Sequence, residues 1–292
     1  MTEIKRLVDC TLHDALRAWN TGFEEYYFTM TMDVKRFTDR LAFEGLSPEH
    51  SIVAFDGETP IGLILNGMRI INGKKVSWNG GTGIAVPYRG KGIGKALMQK
   101  ALKIYEENGV EICTLEAVRE NERAIALYEQ MGYRVKDNLQ HLVQSGPKEK
   151  EWFQKSEKLV IETGIPQAVS TLSFYPTIIP WQTHWFNIQN GESILAKDDG
   201  GNIVGYALYK RVLGEDGSVK VIVLYQCVVA PGIEEQSVIQ TLLWTVFDQP
   251  KLNCQRMAVN LPESNQITFR LLQKAGFTTH VKQVFMVKGD VQ

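Results

Sequence analysis

The sequence predicts a mixed α/β fold built twice in tandem, each domain a mixed sheet flanked by helices. Three observations carry this. Short β-rich runs alternate with amphipathic runs along the chain, the pattern of strands interleaved with helices. A glycine-rich turn, Val86-Pro87-Tyr88-Arg89-Gly90-Lys91-Gly92-Ile93-Gly94-Lys95, joins a strand (83–86) to an amphipathic helix (96–105). The order then recurs in register: Pro87 and Pro231, Asn121 and Asn265, and Gly132 and Gly276 are each 144 residues apart. Matched landmarks at one constant offset indicate an internal repeat.

Taken in order, residues 7–19 form an amphipathic helix after a short first strand, and 23–30 are dense in aromatics. Strands are expected at 51–55 and 60–65 across a turn at Asp56-Gly57, with 69–71 prolonging the second. Asn72-Gly73 is a hairpin signal. Residues 75–86 make the long central strand, and Gly80, Gly81 and Gly83 inside it mark a bulge or the close approach of another backbone. Residues 110–118 form the next strand. The polar stretch 136–150, with Gly146-Pro147, places the domain boundary between 1–147 and 148–292. A helical stretch is expected at 152–162, and 164–185 fits no element. The strands 202–208 and 218–230, and the segment 265–277, then repeat the first half.

Composition excludes several classes. A net charge of −1 argues against a nucleic-acid binder held by bulk electrostatics. The cysteines, Cys10, Cys113, Cys227 and Cys254, lack metal-ligand spacing and suit a reduced, cytoplasmic setting. The histidines form no cluster, and nothing asks for a metal. Residues 1–6 have no apolar signal region, and no apolar run approaches membrane-spanning length.

The glycine loop invites a phosphate or pyrophosphate. Its glycines keep Cβ atoms out of a ligand's way, the following helix presents unpaired first-turn N–H groups, and Arg89, Lys91 and Lys95 add positive charge. A dinucleotide fingerprint starting at Gly90 and Gly92 requires a third glycine where Lys95 stands. A Walker A loop requires glycine at position 89 and Ser or Thr at 96, where the chain has Arg89 and Ala96. What remains is Arg-x-x-Gly-x-Gly, at Arg89, Gly92 and Gly94.

That pattern resembles the acetyl-CoA pyrophosphate loop of the GNAT superfamily of N-acetyltransferases. Downstream, Leu115-Glu116-Ala117-Val118 leads to Asn121-Glu122-Arg123-Ala124, then Leu127-Tyr128 and Gly132-Tyr133, which is similar to the family's second motif. Asn121 suits an N-cap, and Ala124 and Tyr128 share one helical face. The resemblance implies two mostly antiparallel, splayed sheets. It also implies acetyl-CoA held by Arg89, Gly90, Lys91, Gly92, Ile93, Gly94 and Lys95, with Ile84, Ala85 and Val86 along its pantetheine arm and Asn121, Ala124 and Tyr128 beside it.

The expected reaction is direct attack of a primary amine on the thioester within a ternary complex. Tyr128 is the expected proton donor to the thiolate. Glu116 is a candidate base, as are Glu24 and Glu25, and Glu24, Glu25, Tyr26 and Tyr27 are candidate acceptor-site residues. The acceptor is a small molecule or a peptide, and the chain a monomer (an internal pseudo-dimer) or a homodimer, with no nucleic acid, membrane or metal partner. The alternative is a non-catalytic sensor of CoA or acyl-CoA, or an interaction scaffold. In the second copy Ile233, Glu234, Gln236 and Val238 replace Arg89, Gly90, Gly92 and Gly94, and Leu272 replaces Tyr128. The second copy is therefore expected to keep the fold and lose the pyrophosphate.

Overall fold

The chain opens on β1 (Thr2–Arg6) and α1 (Leu12–Gly22) in the computed structural model, which describes residues 2–146, 151–247 and 253–290. Thr11 and Asp14 start α1 with reciprocal side-chain to backbone bonds, a capping box that satisfies otherwise orphaned donors. There follow α2 (Val34–Phe43), β2 (Ile52–Asp56), β3 (Thr59–Ile71), β4 (Lys74–Ile84), α3 (Ile93–Glu107), β5 (Ile112–Val118), α4 (Glu122–Gln130) and β6 (Arg134–Gln144). The second half runs β7 (Val160–Gly164), β8 (Glu192–Lys197), β9 (Ile203–Leu213), β10 (Val219–Val229), α5 (Glu235–Phe247), β11 (Gln255–Pro262), α6 (Gln266–Lys274) and β12 (Thr278–Lys288). No described helix is long and apolar enough to cross a membrane.

These elements divide into a first unit, Met1–Lys136 with Val284–Gln292, and a second, Asp137–Gln283. Each closes on a strand from the other copy of the repeat. In the first unit the order is β1-β2-β3-β4-β5, then the end of β12; in the second it is the body of β6, then β11-β10-β9-β8-β7. The boundary expected between 147 and 148 falls in a stretch outside the described residues.

In the first unit β4 runs antiparallel to β3 and parallel to β5, but its pairing with β5 covers only Val76 opposite Ile112 to Asn79 opposite Leu115. Beyond that point β4 continues to Ile84 and β5 to Val118, so the two strands fork. Asn79 fixes the place. Its Oδ1 accepts the Gly81 N–H at 3.0 Å and its Nδ2 donates to Thr82 Oγ1 at 2.9 Å, which stabilises the bulge between β3 and β4. The strand glycines admit α1: a Cβ on Gly22 would lie 2.8 Å from the Gly83 carbonyl carbon. On the opposite face α3 buries Ile93, Leu97, Met98, Ala101, Ile104 and Tyr105, spaced along one helical stripe, against Ile52, Ile61, Ile64 and Leu115. Val284 and Met286 join the same core.

The second unit repeats the fork. Its β10 pairs in parallel with β11 only from Val221 opposite Gln255 to Leu224 opposite Ala258. The buried face of α5 (Val238, Leu242, Val246) packs on the sheet. The expected helix at 152–162 is absent, and an irregular segment leads into β7 instead. Phe153 enters the core, and the N–H groups of Gln154 and Ser156 donate to the side chains of Gln240 and Thr241 on α5. Side-chain acceptors thus replace the carbonyls that a helix would have supplied. The unassigned stretch 164–185 holds short 3-10 turns at Pro166–Val169 and Trp181–Thr183.

Candidate active site

The glycine loop of the first unit closes β4 onto α3. A 3-10 turn, Val86–Tyr88, is followed by Gly90 at φ 76° and Gly92 at φ 85°, left-handed conformations that disfavour any side chain. Gly92 is the N-cap of α3 and has no side-chain cap, so the first-turn N–H groups point past it. A Cβ on Gly92 would meet nothing within 4 Å, which leaves an open cradle at the positive end of the helix. Lys91 and Lys95 are exposed at the same turn, with Lys91 Nζ 5.5 Å from the Tyr88 ring centre. Gly94 lies in α3, where a Cβ would touch Leu127 at 3.3 Å. Ile93 is buried in the core.

Arg89 is turned inward. Its Nε donates to Ile84 O at 2.9 Å, and its Nη2 to Gly22 O at 3.2 Å and Glu24 O at 2.6 Å. Ala85 N donates to Ile61 O at 2.9 Å, and the carbonyls of Ala85 and Val86 accept from the N–H groups of Tyr88 and Arg89.

Residues from three elements meet inside the fork. Asn121 caps α4, its Oδ1 accepting Ala124 N at 3.2 Å, and one turn later Tyr128 is buried. Burial pushes the Tyr128 phenol up, and a hydrogen bond with Thr82 on β4 partly offsets this. Tyr26, from the aromatic segment after α1, is pushed up to about 12 by burial and by Tyr128, while a hydrogen bond with Asn121 acts the other way. Both phenols stay protonated at neutral pH. Sequence reasoning missed Thr82; its one signal was a lone hydroxyl among strand glycines.

Half-buried Glu116 on β5 accepts the Trp78 indole N–H at 2.7 Å, a partner no spacing rule announced. Glu24 and Glu25 are exposed; Glu24 engages Arg89 through its carbonyl, and Glu25 turns at φ 56°. Tyr27 is half exposed, and its hydroxyl donates to Glu120 O at 3.0 Å, tying the aromatic segment to the turn before α4. Among the described residues, no group of three or more His, Cys, Asp and Glu is placed to hold a metal.

At the equivalent place in the second unit two helix N–H groups are already engaged. The Glu234 carboxylate accepts the N–H groups of Gln236 and Ser237, both at 2.9 Å, so a built-in anion sits where the first unit keeps an open cradle. Asn265 leaves its helix uncapped by its side chain and donates instead to Cys227 O on β10 at 3.0 Å.

Two stretches of the chain, residues 12–133 and 161–277, match the profile of the Acetyltransferase (GNAT) family. Among curated proteins, the chain is 42% identical over 60 residues to N-alpha-acetyltransferase MAK3 of Arabidopsis thaliana, covering 20% of this chain and 32% of that protein. It is 31% identical over 87 residues to N-alpha-acetyltransferase 30 of Schizosaccharomyces pombe, covering 30% of this chain and 58% of that protein. The matches thus span about a third and somewhat over half of these relatives' lengths. Among solved structures, a GCN5-related N-acetyltransferase from Sphaerobacter thermophilus aligns with a TM-score of 0.67 at 15% identity, covering 100% of this chain and 97% of that one. A tandem GNAT protein from the clavulanic acid biosynthesis pathway aligns with a TM-score of 0.62 at 14% identity, covering 100% of both chains. At such identities these structures speak to the fold.

Proposed function

Because the chain belongs to the Acetyltransferase (GNAT) family, we propose that its first unit transfers an acetyl group from acetyl-CoA to the free α-amine of a peptide. The observation that carries this reading is the meeting of Tyr128, Thr82, Asn121 and Tyr26 in the fork, next to an open helix N-terminus. When bound, acetyl-CoA supplies the acyl group as an activated thioester. The open cradle at Gly92 and the α3 N–H groups suit its pyrophosphate, with Lys91 and Lys95 as exposed counter-charges. Arg89 braces the loop and the segment after α1, rather than reaching outward. Backbone N–H groups of β4 would polarise the carbonyl under attack.

The leaving group that Tyr128 would assist is a thiol of pKa about 8.5. The phenol's own pKa is raised above about 10, so full proton transfer is uphill, and Tyr128 acts chiefly as a hydrogen-bond donor to the departing sulfur.

The acceptor class follows from proton cost. At pH 7 a lysine-type amine of pKa about 10.4 costs about 4.6 kcal/mol to deprotonate, while an α-amine of pKa about 7.7 to 8.0 costs only about 1 kcal/mol. The half-buried candidate base, Glu116 on β5, is already engaged by the Trp78 indole N–H, which suits an acceptor that needs little help to lose its proton. Two relatives named as N-alpha-acetyltransferases support the same choice.

The test is a mass-shift screen with acetyl-CoA against peptides with free and blocked N-termini, a lysine side chain, a polyamine and an aminoglycoside. Only the free-N-terminus peptides should gain an acetyl group. Tight CoA binding with no acceptor modified would favour the sensor reading.

A further inference from the structure

The second unit holds a cavity of about 340 Å³ in its own fork. It lies where β10 and β11 have separated, between Tyr225 to Val229 on one side and Asn260 to Pro262 on the other. That volume is within the range of small-molecule sites, about 300 to 1,000 Å³. The walls are apolar: Ile179, Val228, Val229, Ile239, Leu261 and Pro262.

Its polar groups are neutral and held in place. The buried Gln226 amide accepts from Tyr206 Oη at 2.6 Å and donates to Thr183 O at 2.7 Å. Asn260, at φ 49°, has its Oδ1 2.8 Å from His141 Nε2, and Asn265 is tied to Cys227 O. Among the described lining residues Glu235 alone carries a charge, and it is exposed. The neighbouring helix N-terminus does not offset it, because Glu234 already occupies those donors with a second carboxylate.

Anions are therefore disfavoured and a cation favoured, beside an apolar chamber with fixed amides for orientation. We infer that this fork is a binding site for a small amphipathic amine, with its apolar body in the cavity and its ammonium toward Glu235. The site is separate from the acetyl-transfer site and takes no CoA.

Calorimetric titration of the whole chain tests this with three probes of one shape: 4-phenylbutylamine, 4-phenylbutanol and 4-phenylbutyrate. The amine should bind about threefold or more tighter than the alcohol, in the range of an exposed ion pair. The carboxylate should bind more weakly than either. Val229→Trp, which fills the cavity from a half-buried position, should abolish amine binding. Glu235→Gln, at an exposed position, should fold normally and bring the amine to the alcohol's affinity. The inference is overturned if the amine does not bind, if the three probes bind alike, or if amine binding survives both substitutions unchanged. Were Val229→Trp to misfold by thermal unfolding, Glu235→Gln and the probe series would still decide.

Discussion

Arg89 Nη2 donates to the carbonyl of Glu24 at 2.6 Å, across 65 residues of sequence. A side chain placed by the loop's motif among cofactor ligands is thus also the strut under the aromatic segment that carries Tyr26 and Tyr27. Arg89→Met keeps much of the aliphatic stem and removes the guanidinium. It should destabilise the first unit by about 1.5 to 3 kcal/mol, the range for a hydrogen bond to a charged group. It should also raise the acceptor KM more than it weakens CoA binding. A large loss of CoA affinity with an unchanged acceptor KM would reverse the assignment and return Arg89 to the phosphate.

Gly92 separates backbone strain from blockade. Its φ of 85° suits glycine and tolerates asparagine, while a β-branched residue there is strained. Gly92→Asn and Gly92→Val should both abolish CoA binding by filling the cradle, with Gly92→Val lowering the thermal midpoint further than Gly92→Asn. CoA binding by Gly92→Asn at parental affinity would show that the cradle is not the phosphate site.

Tyr128→Phe keeps the buried ring and removes the donor. A fall in kcat of about 10²-fold or more, with CoA affinity little changed, is the expected result. An unchanged kcat would leave Tyr128 as packing against Tyr133, whose ring centre lies 6.1 Å away.

The pH profile should rise and then hold. The α-amine acceptor becomes reactive as it loses its proton, so kcat/KM should climb through about pH 7 to 8. The protonated form of Tyr128 is the working one, and burial raises its pKa, so no alkaline fall should appear below about pH 10. A profile that drops between about pH 8 and 9 would point to a different proton donor.

Stoichiometry tests the second unit. Because the Glu234 carboxylate already occupies the N–H groups of Gln236 and Ser237, calorimetry should count one CoA per chain. A count near two would contradict this occlusion.

Much of this was legible in the sequence, for identifiable reasons. The family resemblance implied the splay and the repeat offset carried it to the second half, since the glycines, caps and prolines that mark the repeat are local features. The turn of the loop and the position of Tyr128 on α4 were legible because motif spacing fixes which residues share a helical face. Arg89's inward turn was not, because its acceptors are backbone carbonyls of Gly22 and Glu24, and carbonyls have no letter in the sequence. The absent helix near Trp152 failed for a related reason: apolar spacing suggested a period, while Gln240 and Thr241 supplied acceptors from far along the chain. Hydrophobic pattern says that a strand such as β6 is buried on one side, not which strand it lies beside.

The exchange of closing strands has a consequence for how this chain could change by descent. A duplicated gene whose copies fold apart can discard one copy at little cost. Here the residues from Val284 onward complete the first unit, so a premature stop in the second copy would strip an edge from the first. Substitutions in the second copy's loop or at Leu272 leave that edge strand in place, whereas loss of the residues from Val284 onward removes it. The first unit thus depends on how far the second copy extends, and not on which side chains line its loop.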